Sequence, residues 1–287
     1  MKCAVLGDPI DHSLSPTLHQ AAYAELEMSD WSYTSTRVQA GGLAKYVADL
    51  GGDWPPSRWR GLSVTMPLKR EAYELARSMS PRARLVGAVN TLVRSSHGWV
   101  GDNTDLPGAV AAIRERAGEG FSCTSGAILG AGATAASTGL ALAELGASRI
   151  TLLARNPGAA GETIEMISRH RSKPVVSVLP LDSAARESTT SGVDVVVSTV
   201  PAKAQTPELI DRWASTPVVF DVVYDPWPSP LLSVAPGVAV SGLDLLVHQA
   251  VLQFELFTGR TAPLAVMRAA GEKALASRES SMESTPA

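Results

Sequence analysis

The side chains best equipped for chemistry fall in residues 87–105, GAVNTLVRSSHGWVGDNTD. Two short apolar or β-branched runs flank Ser95-Ser96-His97-Gly98, a turn signal of the kind that closes a hairpin. One arm carries Asn90-Thr91 and the other ends in Asn103-Thr104-Asp105, so amides, hydroxyls and a carboxylate stand where a strand rarely needs them. Such groups cluster where a ligand is read, and the stretch reads as the wall of a site lying between two domains. Upstream, GLSVTMP predicts a strand with Ser63 and Thr65 on one face, which stops at Pro67 and opens a helix bearing Lys69. A cation in a first helical turn opposes the helix dipole. Lys69 is therefore either kept for something other than helix stability or is a solvated surface lysine.

A third polar group sits in His12-Ser13-Leu14-Ser15-Pro16. Pro16 suits the first helical position and Ser15 the N-cap before it. A residue preceding proline is pushed to extended geometry, which turns Ser13 and Ser15 to the same side. Two hydroxyls beside the N–H groups of a helix start form a receptor for an anion such as a carboxylate. An ordinary cap with one spare serine is the plainer alternative.

The elements that must position these groups alternate strand and helix. Residues 2–7 and 31–38 read as strands, residues 43–50 as a helix, and residues 53–60 as a loop; residues 106–117 predict a further helix. Residues 126–130 form a short apolar strand leading into Gly130-Ala131-Gly132-Ala133-Thr134-Ala135 and an alanine-rich helix, with a second strand at residues 149–154. Strand, glycine loop, helix, strand is the context of a dinucleotide fingerprint, with Ala135 in place of its third glycine. The second strand ends in Ala154-Arg155-Asn156, without the acidic residue that bonds a ribose 2′-hydroxyl. A carboxylate repels a 2′-phosphate, whereas a guanidinium grips it with two hydrogen bonds, so Arg155 favours NADP(H) unless it merely ends the strand in solvent. DVVVSTV, residues 194–200, predicts a buried strand ending in Ser198-Thr199 at the sheet edge where ligands bind. Strands at residues 218–224 and 238–241 precede a long helix at residues 242–257 carrying Gln249, a second helix at residues 263–276, and a disordered tail from Ser277.

At 287 residues, 45% hydrophobic and 18% charged, the chain has the size and composition of a globular enzyme with two domains. A net charge of −3 argues against a nucleic-acid binder. No run approaches the roughly 18 apolar residues of a membrane span, and no secretory signal is evident, so a cytoplasmic location is expected. Cys3 and Cys123 read as structural thiols, and His12, His19, His97, His170 and His248 are too scattered to predict a metal site.

In number and order these motifs resemble the shikimate dehydrogenase family, from Val5 to about Ala270. They are Ser13-Leu14-Ser15-Pro16, Ser63-Val64-Thr65-Met66-Pro67-Leu68-Lys69, Gly87-Ala88-Val89-Asn90-Thr91, Gly101-Asp102-Asn103-Thr104-Asp105, the glycine loop, and Gly242-Leu243 through Gln249. The resemblance implies that Ser13, Ser15 and Tyr224 hold a substrate carboxylate, and that Thr65, Lys69, Asn90, Asp105 and Gln249 surround ring hydroxyls. It makes Lys69 and Asp105 the catalytic pair and leaves Asp102 structural. It assigns cofactor binding to Gly130, Ala131, Gly132, Ala133, Thr134, Arg155, Ser198, Thr199 and Gly242. Departures are Ser63 for a common asparagine, Ala154 for another, Leu106 for a frequent glycine or isoleucine, and Ala159 where some members place a second phosphate-binding arginine.

The implied fold is α/β in two domains: an N-terminal substrate domain with a mostly parallel sheet, residues 1–105 plus 242–276, and a Rossmann-type NADP-binding domain, residues 106–241. The implied reaction is the reversible NADPH-dependent reduction of 3-dehydroshikimate to shikimate in chorismate and aromatic amino-acid biosynthesis, by a monomer or homodimer that needs no metal. Hinge closure is expected of two domains joined by two chain crossings. The alternatives are a quinate or aminoshikimate dehydrogenase, and a nucleotide-responsive protein that has lost catalysis. Retention of both Lys69 and Asp105 speaks against the last.

Overall fold

The computed structural model describes residues 1–51, 58–182 and 192–283. The chain opens with β1 (Lys2–Gly7), α1 (Ser15–Glu25), β2 (Ser32–Arg37), α2 (Leu43–Asp49), β3 (Trp59–Val64), α3 (Lys69–Leu75), β4 (Ser78–Met79), α4 (Pro81–Val86), β5 (Thr91–Ser95) and β6 (Gly98–Asp102). It continues through α5 (Asp105–Ala117), β7 (Ser125–Leu129), α6 (Ala133–Glu144), β8 (Arg149–Ala154), α7 (Gly161–Ser168), β9 (Val175–Pro180), β10 (Val195–Ser198), α8 (Pro207–Trp213), β11 (Val218–Asp221) and β12 (Val238–Val240). It closes with α9 (Gly242–Thr258) and α10 (Leu264–Glu283). Two compact units result, Met1–Thr104 with Leu246–Ala287, and Asp105–Leu245.

The first unit is built on a sheet of order β2-β1-β3-β5-β6-β4. β1 pairs in parallel with β2 and β3, and β4 with β6, while β5 runs antiparallel to both neighbours. The hairpin forms with Thr91 opposite Asp102 and Ser95 opposite Gly98, and the Ser95 hydroxyl closes its turn on the Gly98 carbonyl at 2.7 Å. Alternate residues of the strands, among them Leu6, Leu62, Val64 and Leu92, pack with Leu43, Leu68 and Ala83 from α2, the α3 entry and α4. On the other face Phe257 of α9 lies directly on β3: a Cβ added to Gly61 would sit 2.0 Å from its ring. Only a residue without a side chain lets the helix approach this closely.

Beside Phe257, α1 buries His19 completely. Its ring stacks on Tyr33 with centroids 4.0 Å apart and planes 9° from parallel, and Tyr23, Phe254 and Phe257 complete an aromatic box. Neither ring nitrogen has a hydrogen-bond partner. Burial among rings lowers the pKa of His19 from 6.5 to about 3. The unfolded chain therefore takes up a proton below pH 6.5 that the folded chain refuses until about pH 3. Stability falls through that window by about 1.4 kcal/mol per pH unit. Thermal melts at pH 7 and pH 4.5 should show a smaller drop for His19→Phe than for the wild type. Parallel slopes would show that His19 does not set the acid limit.

The second unit has an all-parallel sheet of order β12-β11-β10-β7-β8-β9, the doubly wound arrangement. Its near-continuous apolar strands are covered on both faces: Ile128, Ile150, Val197 and Phe220 meet α5 and α6 on one, and Leu129, Val196 and Val219 meet Leu209 and Trp213 of α8 on the other.

Several boundaries differ from expectation. β3 begins at Trp59, inside the loop expected over residues 53–60, of which 53–57 lie outside the described residues. The short β4, the edge strand β9 and helices α4, α7 and α8 have no counterpart in the sequence reading. α10 runs to Glu283 where a disordered tail was expected from Ser277. The Ser277 hydroxyl bonds back to the Lys273 carbonyl, and Arg278 donates to the His12 carbonyl at 3.0 Å, anchoring this turn beside α1.

Candidate active site

Asn90 is the hub of a buried polar network in the first unit. Its backbone joins two strands: its carbonyl accepts from Val64 N–H at 2.7 Å, and its N–H donates to the Asp102 carbonyl at 3.1 Å. Its side-chain oxygen accepts from the Thr104 backbone N–H and the Thr91 hydroxyl, both at 2.8 Å. A backbone N–H can only donate, so this bond fixes which way the amide faces. The amide nitrogen then points to Thr104 Oγ1 at 2.9 Å and Gln249 Oε1 at 3.5 Å. Gln249 is held in turn by its own Nε2 on the Leu246 carbonyl at 3.1 Å.

Behind this hub lies a layer absent from the sequence reading. Tyr33 donates to Ser63 Oγ at 2.5 Å, Ser63 donates to Gln253 Oε1 at 2.7 Å, and Gln253 Nε2 donates to Thr91 Oγ1 at 3.0 Å and to the Asn90 carbonyl at 3.2 Å. Ser63 is thus committed to the scaffold rather than to the site. Gln253 follows Gln249 by four residues, one helical turn, and that spacing was the available signal. Every member is buried, so each lost bond would leave an unsatisfied group at about 1–3 kcal/mol.

Lys69 is the first residue of α3, half-buried, and its carbonyl accepts from Val89 N–H at 3.0 Å, which ties it to the residue before Asn90. Thr65 is half-buried just past β3, and its N–H donates to the Leu6 carbonyl at 2.9 Å. Asp105 is buried and opens α5 directly after Thr104. Asp102 has different surroundings. Burial pushes its carboxyl up, but Arg82 grips both oxygens at 2.7 and 2.6 Å, and with Ser80 and the Asn103 N–H it brings the net shift below the usual carboxylate range.

At the α1 start, Leu14 and not Ser15 is the N-cap, with φ −88° and ψ −5°. Leu14 is buried, which draws the turn into helical geometry early, so Ser15 is the first helical residue and the extended conformation expected there does not occur. The Ser15 N–H lies 3.4 Å from Ser13 Oγ, and the Ser15 hydroxyl meets Tyr33. Tyr224 is half-buried between β11 and β12.

The glycine loop of the second unit has the shape a pyrophosphate requires. Gly130 adopts φ +119°, and a Cβ there would come within 2.2 Å of Thr199 Oγ1. Ala131 is fixed by Thr163, whose hydroxyl donates to its carbonyl at 2.7 Å. Gly132 is the N-cap of α6 without a side-chain cap, and space is open around it, leaving the first-turn N–H groups of Ala133 and Thr134 for an anion. Arg155 is exposed immediately after β8. These features fit a dinucleotide that carries an extra phosphate. The hydroxyls at the end of β10 are engaged within the fold: Thr199 donates to the Leu129 carbonyl at 2.8 Å, and fully buried Ser198 accepts from Gln205, which also holds Asp221 at 2.6 Å. Burial raises the Asp221 pKa. Gly242 is pressed against the Val222 carbonyl, 2.3 Å from the position of a Cβ.

Among the described residues no grouping of His, Cys, Asp and Glu could hold a metal ion, and no helix is long and apolar enough to cross a membrane. Comparison with known proteins matches residues 5–92 to the shikimate dehydrogenase substrate binding domain and residues 242–270 to the shikimate 5′-dehydrogenase C-terminal domain. A shikimate dehydrogenase (NADP(+)) of Desulforamulus reducens is 32% identical over 93% of this chain and 92% of its own length. The crystal structure of Mycobacterium tuberculosis shikimate dehydrogenase superposes with a TM-score of 0.84 at 39% identity, covering 95% of this chain and 99% of that one. Shikimate 5-dehydrogenase from Thermus thermophilus, in complex with NADP(H) and shikimate, gives 0.79 at 26% identity, covering 96% and 100%.

Proposed function

Because the chain belongs to the shikimate dehydrogenase family, we propose that it catalyses the reversible NADPH-dependent reduction of 3-dehydroshikimate to shikimate, a step of aromatic amino-acid biosynthesis. The observation that carries this reading is the Asn90–Thr104–Gln249 cluster beside the Lys69 and Asp105 positions, in a chain that also holds an open glycine loop followed by Arg155. The nicotinamide supplies the hydride when bound. As a carbonyl is reduced, negative charge grows on its oxygen, and the Lys69 ammonium stabilises that charge and delivers the proton. Asp105, Asn90, Thr65 and Gln249 orient the ring hydroxyls, and Ser13, Ser15 and Tyr224 take the carboxylate. The glycine loop and the α6 start hold the pyrophosphate, and Arg155 the 2′-phosphate. In this reading residues 1–105 with 242–276 bind substrate and residues 106–241 bind cofactor, in a cytoplasmic enzyme acting as a monomer or homodimer without nucleic acid.

Initial rates with shikimate and quinate, each with NADP+ and NAD+, test it directly. Shikimate with NADP+ should be the fastest pairing. Faster turnover of quinate with NAD+ would replace the proposed activity with that of a quinate dehydrogenase.

A further inference from the structure

A cavity of about 380 Å³ lies within the second unit, and its wall is drawn from segments that follow strand ends: Arg155 after β8, Asp182 after the adjacent β9, and Thr206 after β10, which β7 separates from β8. In doubly wound sheets the carboxyl ends of the strands are where ligands bind. The cavity also takes Glu208 and Arg212 from α8. Arg212 is half-buried, yet neither it nor Arg155 forms an ion pair or side-chain hydrogen bond among the described residues. Glu208, four residues before Arg212, is the natural partner on a helix. Its carboxylate instead turns back to its own N–H and the Thr206 hydroxyl, which lower its pKa. Two guanidinium groups thus line one cavity without an ion pair to either of the two carboxylates in the same wall.

We propose that Arg212 is a second cationic partner of the cofactor's 2′-phosphate and, with Arg155, sets the preference for NADP(H) over NAD(H). The proposal rests on the cofactor reading above and deepens it. A phosphate dianion accepts from two guanidinium forks at once, whereas a bare ribose hydroxyl offers neither the charge nor the acceptors. The position occupied by Ala159, which carries no charge, leaves this role to another part of the fold. Arg212 also lies in the last turn of α8, where a cation suits the helix dipole, so stability has to be read alongside binding.

Calorimetric titration of the intact protein with 2′,5′-ADP and with 5′-AMP separates the 2′-phosphate from the rest of the nucleotide. The wild type should prefer 2′,5′-ADP. Arg212→Ala should lose about tenfold in affinity for 2′,5′-ADP, in line with one charge-assisted hydrogen bond. It should bind 5′-AMP within about twofold of the wild type and melt at nearly the same temperature. Arg212→Lys should recover part of the loss. If Arg155→Ala weakens 2′,5′-ADP binding while Arg212→Ala does not, the inference fails and the cofactor reading stands. Equal loss of both ligands in Arg212→Ala would also overturn it, as a structural effect. A wild type that does not distinguish the two ligands would remove the cofactor reading itself.

Discussion

Lys69→Ala is expected to lower kcat by about 10²–10⁴-fold, the range for loss of a positioned general acid. Removing the ammonium removes both the charge that meets the developing oxyanion and the proton that ends the reduction. The architecture around it should survive, because Lys69 holds the Val89 N–H through its backbone carbonyl, which alanine retains. Alanine is also the better residue at the start of α3, where a cation opposes the dipole. The loss should therefore appear in kcat and in kcat/KM together, as for an interaction made in the transition state. Affinity for NADP+, measured by fluorescence titration, should stay within about twofold, since no cofactor contact is assigned to this side chain. A Lys69→Ala enzyme with wild-type kcat would show that the proton comes from elsewhere.

The second large effect separates two aspartates three positions apart. Asp105→Asn should cost at least about 100-fold in kcat, the lower range for a positioned ionised group, with little change in melting temperature. Asp102→Asn should show the reverse pattern. Asp102 is gripped at both oxygens by Arg82 and also accepts from Ser80 and the Asn103 N–H. An amide cannot accept at both ends, so one Arg82 fork is left facing an NH2 group. Asp102 is buried but Arg82 is about a third exposed, so weakening the pair should cost about 1–3 kcal/mol, and the hairpin end that carries Asn103 and Thr104 loosens with it. Melting curves and kcat for both variants, taken side by side, decide the matter. Equal losses of activity at unchanged stability would withdraw the distinction between them.

What could be read from the sequence was what local pattern controls. The glycine loop, the apolar strands on either side of it and the Ser95–Gly98 turn each fit within a few residues, and the structure contains them. β9 is absent from the sequence reading although VVSVLP is a β-branched run whose Val176 and Val178 pack on the core at strand spacing. α8 is absent from the sequence reading although Thr206-Pro207, a capping hydroxyl before a first-turn proline, marks its start. The cap at Ser15 was misplaced because the burial of Leu14 outweighed the local preference of serine. Within the candidate site, Asn90 and Gln249 lie 159 residues apart, and no spacing rule spans that distance. Gln253, Tyr33 and Arg212 carry no motif of their own. They are visible only once the fold shows which of their neighbours need a partner.

Gly61 and Phe257 have a bearing on how this protein can vary. The two positions divide a single volume: the ring occupies the space a side chain on β3 would otherwise fill. Four residues before that ring on the same helix is Gln253, which meets Ser63 on the same strand. Neither position can therefore drift alone. Growth at residue 61 is tolerable only if residue 257 shrinks to match, and any mismatch lifts the helix from the strand and draws Gln253 away from Ser63 and Asn90. A pair that touches no ligand thus restricts which substitutions the polar network can survive, making the geometry of the site hereditary through its packing.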